Sequence, residues 1–480
     1  MKKMKKFIFS LLMVSAVFVS CNTELDINSD PDLLNPDNAP LSSQLPAGII
    51  GVVGSEGAGM AIFGGIWSQY FTQSNAANQF KEIENYTAGT ADYNFIWDGM
   101  YDALGDIRNV KRKALAAENW KYYLIATALE VQASQVLTDM YGSIPYKEAN
   151  IKTITSPRFD TGEEIYGFMI DDLNDALSRD LSTSKGDAPG ADDLIYGGNM
   201  TSWKKFANTI KLKVYMRQTN SSRAAIADAG IQQMITDGVA FLDTDASMVQ
   251  FVDEINQSNP LYEYVVRRLN VATNLRMSRT MSSFLDVNSD PRKGSYYNAG
   301  NPLNQGDFNN PIGAGTIATI KLSATTPVLL MSKEESLFLQ AEAMERYNSG
   351  NGAKALYDAA VNANFTRFGL DGSTFVSGAY LYPVAGTFDQ KLEAIITQKW
   401  AAGFPGNGFE AFFEINRTGY PRTSTVPQSD GAYVPGQITY SVTGSTGGLF
   451  PKRIVYPLSE RNANTNAPTL ELITAPVWWD

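Results

Sequence analysis

The sequence predicts a mainly α-helical fold, a scaffold of degenerate tetratricopeptide-like helix pairs that carries a loop-rich subdomain. Three observations lead there. Apolar side chains recur every three to four residues through most of residues 47–240, the spacing that gathers them on one helix face. A helix–turn–helix at residues 334–366 has the roughly 34-residue period of a tetratricopeptide unit. Between the two lies a stretch, 241–331, in which Asn298, Asn301, Asn304, Asn309 and Asn310 are interspersed with Gly and Pro, a composition of long irregular loops.

In chain order, Lys2, Lys3, Lys5 and Lys6 precede the apolar run Phe7 to Val19. At about 1.5 Å per residue this run is too short to span a bilayer, and it reads as an export signal over residues 1–20. Ser20 supplies the small side chain that cleavage requires before Cys21, the single cysteine of the 480 residues. Residues 22–46 are polar with Pro31, Pro36, Pro40 and Pro46, so 21–46 is expected to be a tether. No other segment is expected to hold a membrane. Residues 47–240 form the scaffold, with helices over Trp97 to Ala117, Trp120 to Met140, Gly162 to Leu181, Ser202 to Gln218 and Ser222 to Thr236. Trp97, Tyr101, Leu104, Gly105 and Ile107 share one face, and Ala126, Ala128 and Ala133 permit close approach of a neighbour. After the loop-rich 241–331, residues 332–480 return to the scaffold. There Leu337, Leu339, Ala341 and Ala343 lead into Ser349-Gly350-Asn351-Gly352, and Ala355, Leu356, Ala359 and Ala360 follow. A C-terminal loop-rich segment completes the chain.

Composition closes several functional classes. The chain has no histidine, which removes the commonest general base and transition-metal ligand together. Ser/His/Asp triads, Cys/His pairs and the usual zinc sites are excluded, and no GxSxG, GxxxxGK[ST] or GxGxxG motif is present. Loss of the four signal lysines takes the formal net charge from −11 to −15, unsuited to a nucleic-acid partner. Asp26-Ile27-Asn28-Ser29-Asp30-Pro31 and Asp286-Val287-Asn288-Ser289-Asp290-Pro291 both begin like calcium loops. Each has Pro where the sharp turn of an EF-hand needs Gly, so both read as Asx-turns. No cofactor and no metal are expected.

The residues around Cys21 resemble a bacterial lipoprotein box, which implies diacylation of the thiol and a third acyl chain on the new amino terminus. Segments along the chain resemble the SusD/RagB family of nutrient-binding outer-membrane lipoproteins of Bacteroidetes, in its SusD-like subgroup. They are IWSQYFTQ from Ile66, LTDMYGSIPYKEA from Leu137, WKKFANTIKLKVYMR from Trp203, FLDVNSDPRKGSYY from Phe284, SLFLQAEA from Ser336, QKWAAGFPGNGFEAFFEINRTGYP from Gln398 and KRIVYPLSERNANTNAP from Lys452. The resemblance implies a lipid-anchored protein on the outer membrane, facing the cell exterior. It would act as a lid on a SusC-like TonB-dependent transporter and deliver oligosaccharide or peptide without chemistry. A glycoside hydrolase using two carboxylates and a surface adhesin or scaffold are the competing classes.

The resemblance also implies that the segment before the helix bearing Trp97 and Tyr101 carries part of the ligand site. There Gln69, Gln73, Asn75, Asn78, Gln79 and Asn94 alternate with Trp67, Tyr70, Phe71, Tyr86 and Tyr93. Amides bond hydroxyls and aromatic rings cover the apolar face of a sugar, so an uncharged oligosaccharide suits this mixture. A second wall is expected from Asn259 to Tyr297, through Tyr262, Tyr264, Arg267, Arg268, Asn274 and Tyr296. Of these residues Trp67, Gln73, Asn75, Asn78, Gln79, Tyr86, Tyr262, Arg267, Asn274 and Tyr296 are the expected ligand contacts. The opposing reading places Trp67 and Tyr70 in the core. Arg292, Arg417 and Arg453 are expected to pair with carboxylates inside the protein.

Overall fold

The computed structural model describes residues 39–74, 79–268, 273–310 and 314–480. Cys21, the export signal and the tether up to residue 38 lie outside the described residues, as do Asn75 and Asn78. The body runs from Leu41 to Asp480. Its first helix, α1 (Leu41–Ser55), contains Pro46 and so begins inside the segment expected as tether. Leu45, Ile49, Val52 and Val53 are buried against the body, and this packing outweighs the hydrogen bond that the proline forgoes.

A π-helical turn, Glu56–Met60, joins α1 to α2 (Ala61–Trp67). The combined run Leu41–Trp67 is long and apolar enough to cross a membrane, contrary to the expectation above. However, 72% of its most apolar window is buried inside the protein, as befits a core helix. The paired helices follow as α3 (Asn94–Ala116), α4 (Trp120–Tyr141), α5 (Gly162–Ser178), α6 (Met200–Arg217) and α7 (Ala224–Thr236). Each packs on the next, and the expected spans agree with the observed ones to within a few residues. The starts are fixed by capping: Asn119 and Asn199 side chains accept from the first turns of α4 and α6, and Thr161 with Glu164 forms a capping box on α5. Helix α4 ends at Gly142, where φ is +88° and a Cβ would stand 2.9 Å from the Arg453 guanidinium. That position tolerates only glycine.

The tetratricopeptide-like pair is α8 (Lys333–Tyr347) and α9 (Ala353–Arg367), followed by α10 (Phe388–Ala402) and α11 (Gly408–Thr418). Helix α11 returns to pack on α2. A Cβ on Gly64 would lie 1.9 Å from the Phe409 nitrogen, so the two backbones meet with nothing between them. Buried ion pairs stitch the scaffold together. Arg217 on α6 contacts Asp139 on α4 at 2.9 Å and Glu410 and Glu414 on α11 at 2.6 Å each. Arg417 pairs with Glu342 and Arg292 with Asp290 inside the protein, as expected for both; Arg453 is buried but reaches out to the exposed Glu471, because its guanidinium lies just beneath the surface. Burial opposes ionisation of Glu414, yet Arg417, Lys399 and Arg217 hold it below its ordinary value.

One short antiparallel ladder pins the loop-rich region to the scaffold, and a second ties the two ends of that region together. Strand β1 (Phe71–Thr72) pairs with β3 (Arg276–Met277) in the register Phe71↔Met277 and Thr72↔Arg276, and β2 (Ala246–Met248) pairs with β4 (Val328–Met331). The second Asp-x-Asn-x-Asp segment is a turn. The Arg292 amide donates to the Asp290 carboxylate at 2.9 Å, and Lys293 pairs with Asp286 at 2.6 Å.

Candidate functional site

The site is built where β1 and β3 bring the two expected walls side by side. Asn274 Nδ2 donates to Gln79 Oε1 at 3.0 Å, joining the segment before α3 to the segment before β3. Gln73 Nε2 donates to the Gln79 carbonyl and closes the loop between them. Beneath, Glu84 receives three bonds on Oε1: from Thr72 Oγ1 at 2.5 Å, Gln305 Nε2 at 2.7 Å and the Gly306 amide at 2.8 Å. Burial drives this carboxyl up to about 7, and the bonds from Thr72 and Gly306 only partly offset that. One buried side chain thus fastens β1 to the 304–306 loop.

On this base stands a ladder of aromatic rings. Tyr264 stacks between Phe80, at 6.0 Å and 30°, and Phe95, at 5.5 Å and 25°. Tyr93 abuts Phe95 at 6.2 Å and Phe63 in the core at 4.9 Å. Phe95 is 42% exposed and Tyr264 half-buried, while Phe80 is buried beneath them. Phe80 and Tyr93 hold φ of +68° and +57°, a region uncommon for residues with a Cβ and costly enough that the surroundings must impose it. Tyr264 belongs to a π-helical turn, Glu263–Arg268, a form that recurs at functional sites. The edge of the platform carries Lys81, 4.9 Å over the Phe308 ring, and the exposed Arg268.

Several expected contacts lie inward of the ladder's exposed end. Trp67 is buried, donates from Nε1 to the Ile83 carbonyl at 3.0 Å and packs between Phe63 and Phe412. Tyr296 has no exposed surface; its hydroxyl donates to the Ala401 carbonyl at 2.9 Å, and its ring stacks on Phe404 at 4.3 Å. Tyr86 is buried against Tyr440, and with Trp67 it lines a cavity of 280 Å³ whose lining includes none of the ladder rings. Gln73 and Asn274 are fully buried. Arg267 is consumed by Asp253, Glu263 at 3.4 Å and Ser258 at 3.2 Å, and its guanidinium covers Tyr262 at 5.5 Å. For the aromatics and amides the reason is the same: beside a loop they have more partners available inside than a linear reading reveals, whereas Arg267 is taken up by neighbouring carboxylates. The residues passed over are Phe80 and Phe95. Phe95 had a signal, as an aromatic directly after Tyr93-Asn94; the left-handed turns that aim these rings had none.

A helical-repeat scaffold presenting stacked rings among amides and cations defines a binding surface for a ligand with apolar faces and polar edges. A family model described as "Starch-binding associating with outer membrane" matches residues 60–441, and the chain belongs to that SusD-like family. Similar solved structures carry the same fold. A SusD homologue from Bacteroides uniformis is 24% identical, with a TM-score of 0.76 over 92% of this chain and 99% of its own. A chitin-binding SusD homologue from Flavobacterium johnsoniae is 22% identical, with a TM-score of 0.75 over 91% and 98%. A SusD homologue from Bacteroides vulgatus is 23% identical, with a TM-score of 0.71 over 87% and 91%. No curated protein sequence matches the chain.

Proposed function

We propose that the protein captures oligosaccharide at the outer surface of the outer membrane, anchored through acylated Cys21, and passes it unaltered to a SusC-like TonB-dependent transporter. The observation that carries this reading is the Phe80–Tyr264–Phe95 ladder. Its exposed end offers ring surface of the kind that covers the C–H face of a sugar, and Gln79 stands beside it to bond hydroxyls. Family membership supports the membrane association. The bonding of Gln73, Gln79 and Asn274 to one another supports a pre-formed site, in which little ordering entropy is lost on binding.

The test is a glycan array followed by isothermal titration of the best ligand against wild type, Phe95→Ala and Tyr264→Ala. Each variant is expected to weaken binding about tenfold or more, the scale of an aromatic hot spot. Unchanged affinity in both would refute the platform, and cleavage of the glycan during incubation would refute the receptor reading. Copurification of a TonB-dependent barrel from native membranes tests delivery.

A further inference from the structure

Around the platform lie four cations that make no ion pair with a carboxylate among the described residues. Arg276, opposite Thr72 in the β1–β3 pair, is 3% exposed. It donates from Nη1 to the Ile317 carbonyl at 2.8 Å, while its buried Nε has no partner. Arg279 Nε donates to Asn304 Oδ1 at 2.6 Å, and the Asn304 carbonyl in turn accepts from Thr72 at 3.3 Å. Lys81 lies over Phe308, and Arg268 ends the π-helical turn that presents Tyr264.

Among the described residues none of the four has a carboxylate within 4.0 Å, although nearby cations such as Arg267, Arg292 and Lys293 each have one. Residues 75–78, 269–272 and 311–313 contain no Asp or Glu that could serve. The acids of the neighbourhood are engaged elsewhere: Glu82 by the Tyr93 hydroxyl, Glu84 by its three donors, Asp307 by Asn310 at 2.8 Å and Glu263 by Ser258 at 2.6 Å. The chain holds 50 acidic and 39 basic residues, so carboxylates are not scarce, yet none comes within 4.0 Å of these four cations among the described residues. A guanidinium buried beside carbonyls alone is costly and gains most from an anion that arrives from outside.

We propose that this site takes an anionic oligosaccharide, one whose sugar rings carry carboxylate or sulfate. The rings lie on Tyr264 and Phe95, Arg268, Lys81 and Arg279 receive the oxyanions, and buried Arg276 supplies uncompensated positive charge behind them. The proposal rests on the glycan reading above and narrows its substrate class. Arginine's planar fork matches an oxyanion with two parallel hydrogen bonds, which a neutral hydroxyl cannot use.

The experiment compares, by isothermal titration, an oligogalacturonate with its methyl-esterified form and a sulfated glycosaminoglycan fragment with its desulfated form. A neutral chito-oligosaccharide and an acidic peptide are run beside them. At least one anionic glycan is expected to bind about tenfold more tightly than its neutral partner. The advantage should shrink as salt is raised and fall further in Arg268→Gln and in Lys81→Gln, both at positions open to solvent. Arg276→Met is added as a fourth protein, with its melting temperature measured, because this residue also contributes to packing. Which of the two anionic glycans responds identifies the oxyanion. Equal binding of charged and neutral forms would overturn the anionic assignment and leave the glycan receptor standing. Binding of the peptide alone, or of no glycan at all, would overturn both.

Discussion

Glu84→Gln tests the physical account of the site most directly, because Glu84 is the buried link between β1 and the 304–306 loop. Gln keeps an Oε1 acceptor for the Thr72, Gln305 and Gly306 donors but cannot ionise. In the folded protein the Glu84 carboxyl is raised from its ordinary value of 4.5 to about 7, chiefly by burial. Below pH 4.5 it is protonated in both folded and unfolded chains, and its contribution to stability is complete. As pH rises from 4.5 towards 7 the unfolded chain ionises first, so that contribution is progressively lost; above 7 both forms are ionised and the loss is constant. The gap corresponds to about 3 kcal/mol, at roughly 1.4 kcal/mol per pH unit. For the Leu41–Asp480 body the unfolding entropy is on the order of 0.9 kcal/mol per kelvin, so the effect on Tm is about 3 °C. Differential scanning calorimetry of both proteins from pH 4.5 to 8 should show the variant gaining on the wild type by that amount as pH rises, on top of any pH-independent offset. A difference that stays flat, or in which the wild type gains with rising pH, would refute the claim that this carboxyl is desolvated and protonated in the fold.

Three further outcomes are expected. Tyr296→Ala should lose about 3 to 5 kcal/mol of stability by denaturant unfolding, as for a core ring, and a well-folded variant with selectively weakened glycan binding would restore Tyr296 to the ligand wall. Arg217→Met should destabilise by a similar amount, because Asp139, Glu410 and Glu414 would be left buried without their shared cation; an unchanged melting temperature would show that network to be dispensable. Cys21→Ala should move the protein from the membrane fraction to the soluble one in cells lacking the transporter, since the other long apolar run, Leu41–Trp67, is spent on the core. Persistence in the membrane fraction would refute the lipid anchor.

How much of this was legible beforehand differs between scaffold and site. Helices α3 to α9 could be read because their apolar side chains repeat at helical spacing, a local signal that needs no tertiary contact. The buried pairing of Arg292 and Arg417 with carboxylates was legible for a similar reason: such cations inside a helical core require an anion, whichever one the fold supplies. For the candidate site, the sequence named the segments but not the arrangement of their side chains. The segments around Gln79 and Asn274 do meet, yet Trp67, Tyr86 and Tyr296 turn inward and Phe80, Tyr264 and Phe95 form the ladder. An aromatic residue satisfies the same composition rule in a core as on a binding surface, and the sequence carries no term that tells the two apart.

By itself, then, the sequence determined what depends on near neighbours along the chain: the helical scaffold and its turns, and the exclusion of histidine-based chemistry. Only the tertiary structure decided what depends on distant segments. It brought Gln79 to Asn274 across 195 residues and Glu84 to Gly306 across 222. It set Phe80 and Tyr93 in left-handed turns that aim their rings, and among the described residues it left Arg276, Arg279, Lys81 and Arg268 without a carboxylate within 4.0 Å. The physical reason is that burial and charge compensation are sums over everything within a few ångströms, and in a chain whose loops fold back on its helices those neighbours are hundreds of residues apart.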